Sequence, residues 1–378
     1  MKSVFFYTNA RTYDHTLGIT RKIFAEINAF RELGYNVTYS GYLEDGVAIF
    51  NNDNQVILQK RFKFNNDSLN HALRRGLIMN LCLDFLKSAN VHYDFSYVRY
   101  HYYDYLFIKL LKTLRKRSDI LVVEAHSAPK FEKRLSFKTY YALKDYLWKR
   151  KAKHYVDFVA AMTNDDILWG IKTVKITNGI DLDAIRIHNY RGKQDDINLI
   201  SASFAGTEHG YDRVIKGIYL YYKNGGKRNV HFHMVGTIMT STEELINKLG
   251  LSENCHFYGQ KTLSELQDIY DYANIGIAHL ANHRRGTNYV SALKTKEYIA
   301  KGLPIVYACD ETVLKDFPYA LKFELNDEPL NIQRIIDFYD QLPKKDLSLV
   351  IRGHLNEKDT WLYQMATVVK AVNEIRKS

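Results

Sequence analysis

The sequence predicts an α/β protein of two Rossmann-like parallel-sheet domains facing a cleft. Short apolar runs alternate with amphipathic helical patterns through both halves of the chain, and such alternation marks βαβ units and parallel sheets. Between the halves lies Ile176-Thr177-Asn178-Gly179-Ile180-Asp181, whose Asn-Gly pair marks a turn, followed by a polar segment from Asn189 to Asp196. A chain of 378 residues is long for one core and comfortable for two domains. The expected domains are residues 1–185 and 186–355, with a C-terminal helix over 356–378.

In the first half, strands are expected at Val4 to Asn9, Asn36 to Tyr42, Val56 to Arg61, Phe95 to His101, Ile120 to His126 and Phe158 to Thr163. Each is an apolar or aromatic run of strand length. Helical patterns fill the gaps at 18–33, 68–89, 103–117 and 136–153. In the second half, strands are expected at Asn198 to Phe204, Val230 to Gly236, Cys255 to Tyr258, Ile275 to Leu280 and Pro304 to Ala308. Helices are expected near 211–223, 241–250, 263–272, 291–301, 330–341 and 357–376. No low-complexity linker separates the halves, so the joint between the domains is expected to be tight.

No stretch reaches the ~18 uninterrupted apolar residues of a membrane span. The opening MKSVFFYTNA reads as a first strand, without the long apolar region or cleavage site of a signal peptide. Cys82, Cys255 and Cys309 are far apart and match neither a metal-ligand spacing nor a disulfide framework. A cytoplasmic location follows. The net charge of +11 is uneven: residues 1–190 carry 29 Lys+Arg against 19 Asp+Glu, and residues 191–378 carry 24 against 23. Such asymmetry points to an anionic partner of the first half, either a membrane surface, a nucleic acid or a phosphorylated acceptor. Basic and aromatic residues interleave from Tyr105 to Arg117 and from Lys130 to Tyr155. That pattern suits an interfacial membrane contact or nucleic acid. Helices with one face on a sheet explain the apolar residues but not the scarcity of acids on the outer faces.

The most informative segment is 275–307, IGIAHLANHRRGTNYVSALKTKEYIAKGLPIVY. A buried strand leads into a loop carrying Arg284 and Arg285. A helix start with Lys294, Lys296 and Glu297 follows, and Gly302-Leu303-Pro304 opens the next strand. In open α/β sheets, ligands sit beyond the carboxyl ends of strands, against helix N-termini. Those termini and the cations beside them suit a diphosphate. Glu297 has no use for phosphate but can accept hydrogen bonds from sugar or ribose hydroxyls. Diphosphate plus hydroxyls means a nucleotide sugar.

Four pieces then resemble one family in order. ITNGID (176–181), EHGYDRVIKG (208–217), HRRG (283–286) and ALKTKEYIAKGLPIV (292–306) are similar to elements of GT-B retaining glycosyltransferases of family 4, in particular members of bacterial polysaccharide assembly. The resemblance spans essentially the whole chain. It implies an N-terminal acceptor-binding domain, a second domain for the nucleotide sugar, and a C-terminal helix that crosses back to the first. It implies hexosyl transfer with retention from a donor such as a UDP-linked sugar to a saccharide or lipid-linked saccharide, in cell-surface polysaccharide or glycoconjugate synthesis. On that mechanism the leaving diphosphate draws the proton, and neither metal nor cofactor is required. The membrane then becomes the inner face of the plasma membrane.

Residue by residue, the resemblance implies that His126 and Glu297 stand at the reaction centre, with Glu124 sharing His126's strand face on the acceptor side. Gly18 falls at a glycine loop before a helix, where backbone can approach a ligand. His209, Arg284, Arg285, Lys294 and Lys296 are the expected cations or contacts at the diphosphate. The family pattern departs at one place: eight residues before Glu297, where a first glutamate touches the donor sugar, stands Tyr289. Asp181-Leu182-Asp183 matches Asp-x-Asp by letters, but follows a turn and reads as structural. The reading from another class is a basic nucleic-acid- or membrane-binding protein on a degenerate glycosyltransferase fold without catalysis. No nucleic-acid motif supports nucleic-acid binding, and no G-x-G-x-x-G follows the first strand to support a dinucleotide enzyme.

Overall fold

The computed structural model describes residues 2–62, 67–125, 137–163, 165–204 and 206–377. The chain forms two compact units, Met1–Thr177 with Trp361–Ser378, and Asn178–Thr360.

Unit 1 runs β1 (Ser3–Tyr7), α1 (Gly18–Glu32), β2 (Asn36–Leu43), β3 (Gly46–Phe50), β4 (Val56–Arg61), α2 (Asp67–Ser88) and β5 (Tyr93–Arg99), then α3 (Tyr105–Arg115), β6 (Ser118–Ala125), α4 (Phe137–Ala152), β7 (Phe158–Ala161), β8 (Ile167–Leu168) and β9 (Ile171–Lys175). The sheet order is β4-β3-β2-β1-β5-β6-β7-β9-β8. Its centre, β2-β1-β5-β6-β7-β9, is parallel. One edge is an antiparallel meander the sequence reading did not contain. Leu43 pairs with Gly46 across the two-residue loop Glu44-Asp45, and an Asp-Gly step between apolar runs is a hairpin signal. A Cβ at Gly46 would stand 2.5 Å from the Lys60 carbonyl, so only glycine fits against β4.

Unit 2 runs β10 (Ile197–Ser203), α5 (Tyr211–Lys223), β11 (Val230–Gly236), α6 (Thr240–Leu249), β12 (Cys255–Phe257), α7 (Leu263–Tyr270) and β13 (Ile275–Ile277), then α8 (Leu293–Lys301), β14 (Ile305–Tyr307), β15 (Ala320–Lys322), α9 (Ile332–Gln341) and α10 (Leu347–Arg352). Its sheet, β12-β11-β10-β13-β14-β15, is parallel throughout. Successive strand residues feed opposite faces, as the period of two demands. Leu199 joins the cluster under α5 and α9, and its neighbour Ile200 joins the cluster under α7, α8 and α10. Each fully buried Leu or Ile stabilises by roughly 1.5–3 kcal/mol, so two apolar faces hold the sheet between its helix layers.

The last helix, α11 (Trp361–Lys377), packs within unit 1. Its Trp361 ring lies 5.5 Å from Lys22 Nζ, and its Arg376 pairs with Asp94 at 2.7 Å. The two units meet in the chain at Thr177–Asn178 and Thr360–Trp361, against borders expected after residues 185 and 355. β9, β15 and α10 were not expected either. They are five, three and six residues long, too short for a periodic pattern to show.

Candidate functional site

The site takes shape at the carboxyl ends of β10, β13 and β14 in unit 2, where an open parallel sheet presents its loops to a ligand. Beyond β10 the chain makes a single tight turn, Thr207–His209, and enters α5 through Gly210 at φ 69°. That left-handed φ suits glycine. A Cβ there would also stand 2.8 Å from Leu280 Cβ, so glycine lets the β10 loop close on the segment after β13.

The closure buries a set of ionisable side chains together. Lys294, in the first turn of α8, points inward with Nζ 3.3 Å from both Ser201 Oγ and His209 Nδ1. Burial pushes its pKa down to about 7. His209 is itself pushed down to about 2, by burial and then by Lys294, so it stands neutral beside Lys294 Nζ. The His209 ring packs on His279, centroid to centroid 4.7 Å. His279 follows β13, is buried, and its Nδ1 has no hydrogen-bond partner. Glu311 follows β14 and turns back to α8. Its Oε1 accepts from Thr295 Oγ1 at 2.9 Å, the carboxyl also meets the Ala292 backbone N–H, and burial lifts its pKa to about 8.

Four of the residues expected from the sequence lie around this set. Arg285 is exposed and pairs with Glu208 at 2.9 Å. Glu297 is half-buried, one turn along α8 from Lys294. Lys296 is buried but faces away from Lys294, pairing with Asp359 at 2.9 Å. Arg284 corrects the expectation of a paired-arginine clamp. Its guanidinium is held by both Asp212 oxygens at 2.8 and 3.0 Å, by Asp327 at 2.7 Å and by the Thr207 carbonyl at 2.9 Å. The Asp212 hydrogen bond is the main cause that raises its pKa. Arg284 thus ties the loop after β13 to α5, and Arg285 is the arginine that faces solvent. A cavity of about 240 Å³ lies beside that tie, lined by Thr207, Tyr211, Met239, Thr242 and Leu245 among others.

Tyr289 pairs its backbone with Asp310 and sets its hydroxyl 2.9 Å from Thr312 Oγ1. The segment before α8 thereby runs beside the segment that carries Glu311. Asn178 donates to the Ser291 carbonyl at 2.8 Å, so the Asn-Gly turn props the same loop. Asp181 Oδ1 accepts from the Asp183 and Ala184 backbone at 3.1 Å, a local turn cap.

In unit 1, Gly18 is the first residue of α1, with no side-chain cap ahead of it and only Arg21 near a hypothetical Cβ. Glu124 is fully buried and bound to Lys22 at 2.7 Å and Arg99 at 3.0 Å. It joins α1 to β5 and β6. His126 lies outside the described residues. His279, Glu311 and Ser201 were not singled out from sequence. His279 reads as the end of an apolar run and Glu311 as a loop acid, and only the fold brings them to Lys294.

No protein-family model matches the chain, and no curated protein matches it. Solved structures do. Sucrose-phosphate synthase from Thermosynechococcus elongatus superposes with a TM-score of 0.71 at 13% identity, covering 100% of both chains. A glycosyltransferase from Rickettsia africae ESF-5 gives 0.66 at 16% identity, covering 100% of this chain and 99% of that one. Anabaena HepE in complex with UDP and glucose gives 0.60 at 12%, covering 99% and 100%. At such identities the likeness fixes the architecture, and the architecture is the GT-B fold.

Proposed function

We propose that this chain is a glycosyltransferase that moves a hexosyl group from a nucleoside-diphosphate sugar to a saccharide or lipid-linked saccharide. The observation that carries the reading is the buried Lys294 against neutral His209 at the strand ends of unit 2, on a GT-B fold. Burial makes the ammonium form of Lys294 costly unless an anion meets it. The free N–H groups of α8 add a helix dipole of the same sign. Together with exposed Arg285 they suit the diphosphate, and half-buried Glu297 suits the ribose hydroxyls. HepE's complex with UDP and glucose makes a UDP-hexose the first donor to try.

In the reaction the bond from the sugar's anomeric carbon to the diphosphate oxygen breaks, and a bond to the acceptor oxygen forms. The acceptor's proton passes to the departing diphosphate. Retention follows the family resemblance, and so do the places of His126 and Glu297 at the reaction centre. Side-chain cations and the helix end offset the charge of the leaving group. Turnover is therefore expected to persist in EDTA.

Unit 1 takes the acceptor on this reading and holds to an anionic membrane surface. It carries 31 Lys+Arg against 18 Asp+Glu, while unit 2 carries 22 against 24. Leu143, Tyr146 and Leu147 on α4 are 51%, 44% and 61% exposed, at helical spacing with Arg150. Lys149 and Lys151 lie over the Tyr146 and Trp148 rings at 5.0 and 4.2 Å. An apolar stripe flanked by cations suits the boundary between headgroups and acyl chains. Among the described residues no helix is long and apolar enough to cross a membrane; residues 130–136 of the basic segment lie outside them.

The test is thermal stabilisation by UDP, GDP, dTDP, ADP and CMP in EDTA, on wild type and Glu297→Ala. A ligand of the native state raises apparent stability by mass action. One diphosphate is expected to shift the wild type and to shift the variant less. No shift from any nucleotide, with or without added Mg²⁺, would falsify the donor site and leave a membrane- or nucleic-acid-binding protein without catalysis.

A further inference from the structure

We propose that His279 and Glu311 complete the diphosphate site of unit 2, and that loading the site draws protons from solvent. The inference rests on the donor reading above and adds two residues and a linkage to it.

The geometry begins with two polar atoms that have no partner. His279 Nδ1 and Glu311 Oε2 are both buried and unbonded, and each such atom costs about 1–3 kcal/mol in a folded chain. They follow β13 and β14, adjacent strands in one sheet, so both stand at the edge where ligands bind. Glu311 is pinned to the first turn of α8 by Thr295 and the Ala292 N–H, with its second oxygen left over. His279 is pinned through its carbonyl, which accepts from Ala308 and Cys309 at 3.0 and 3.3 Å, and its ring rests on His209. A phosphoryl oxygen at Lys294 offers an acceptor to either group, provided that group carries a proton.

The charges around these groups decide where the proton comes from. Lys294 faces His209, His279, Glu311, Glu208 and Cys309. His279 faces Lys294, His209 and Arg285, and Glu311 faces Lys294 and Lys296. Burial drives Lys294 down to about 7, Glu311 up to about 8, and His279 well below the ordinary imidazole range. The empty site near pH 8 therefore holds little positive charge. A diphosphate brings negative charge to all three and favours the protonated form of each. Lys294 gains a proton and becomes an ammonium. Glu311 gains one and changes from acceptor to O–H donor, and His279 Nδ1 turns toward the same anion as a donor. By linkage, affinity then rises as pH falls.

The experiment is calorimetric titration of UDP between about pH 7.5 and 9, above the second ionisation of a phosphate near 6. Two buffers of different protonation enthalpy give the number of protons taken up. The wild type is expected to take up about one proton or more, its affinity falling roughly tenfold per pH unit for each. Glu311→Gln keeps the Thr295 hydrogen bond and His279→Asn keeps a polar atom near Nδ1, but neither new side chain titrates. Glu311→Gln is expected to bind UDP with a smaller uptake and a flatter pH dependence, and His279→Asn, which removes a neutral N–H donor, is expected to bind UDP more weakly at every pH. Binding without proton uptake by the wild type overturns the linkage, wild-type uptake in Glu311→Gln overturns the assignment of Glu311, and wild-type affinity in His279→Asn overturns that of His279. Absence of UDP binding at every pH removes the donor reading, and this inference with it.

Discussion

The two units carry their charge in opposite places. Unit 1 is strongly basic by count, and its buried cations are paired: Lys22 and Arg99 both close on Glu124, with the Glu26 carboxyl buried beside them. Unit 2 is near neutral by count, and it gathers buried imidazoles around Lys294, with His279 Nδ1 and Glu311 Oε2 unbonded at the strand ends. A surface excess acts over a Debye length and suits an extended anion such as a membrane. A buried, incompletely paired cluster acts at contact and suits one small anion. The difference teaches that one chain uses two forms of electrostatics for two partners, and that net charge reports only the first.

Acid separates the units most sharply. His188, His209 and His233 are pushed down by burial to about 4, 2 and 3, and His256 and His279 are also lowered; all five lie in unit 2. A group whose folded pKa lies below its unfolded value contributes stability above the unfolded value, near 6.5, and loses it as pH falls toward the folded one. Glu311 works the other way, since its raised pKa favours folding as pH falls, but it is one group against five. In unit 1 burial shifts Glu26, to about 7, and Asp145 upward, which acid relieves, while the Ser3 N–H and Arg376 hold Asp94 down against its burial and Lys175 holds exposed Asp166 down. Unit 2 is expected to unfold first below about pH 6.5. Trp148, Trp169 and Trp361 are the chain's only tryptophans and all lie in unit 1. Far-ultraviolet dichroism should therefore change at a higher pH than tryptophan fluorescence; coincident transitions would erase the contrast.

Glu124→Ala attacks the matched cluster. It leaves Lys22 and Arg99 buried opposite Glu26 alone, and breaking a buried pair costs about 3–5 kcal/mol. Urea unfolding followed by tryptophan fluorescence should shift by that amount, because Trp361 stands over Lys22. A loss below about 1 kcal/mol would class the cluster with exposed pairs. Lys294→Met probes the other kind of site. It removes a buried cation of similar length, so the fold should hold while UDP affinity falls about 100-fold, equal to some 2.7 kcal/mol. Affinity within threefold of wild type would take Lys294 out of the donor site.

How much of this was legible in the sequence follows the range of the interactions. The strand-loop-helix from Ile275 to Lys301 carries its pattern locally and forms there, with the strand ending at Ile277 where Leu280 was expected and the helix opening at Leu293 where 291 was expected. The cations within it did not all follow. Arg284 is claimed by Asp212 and Asp327, 72 and 43 residues away, and no local spacing announces such partners. Glu124 lies in an apolar run, and nothing in that run announces that Lys22, 102 residues earlier, neutralises it. His279 and Glu311 carry no motif of their own. Their role arises from adjacent strands ending beside one helix start, a relation of topology that composition and periodicity do not contain.

The smallest expected effect tests the outer charge of unit 1. Arg150 lies on the exposed side of α4 with its guanidinium 5.6 Å from the Tyr146 ring. One basic residue near an anionic surface contributes about 1 kcal/mol, so Arg150→Gln should weaken partition onto phosphatidylserine-containing vesicles roughly fivefold. Its effect should fade as salt shortens the Debye length. Leu147→Ala, which removes apolar contact and no charge, should weaken partition by an amount that salt leaves unchanged. UDP binding should be the same in both variants, since both residues belong to unit 1. A defect of Arg150→Gln that ignores salt, or that appears equally with single-stranded RNA, would move the basic face away from the membrane and toward nucleic acid.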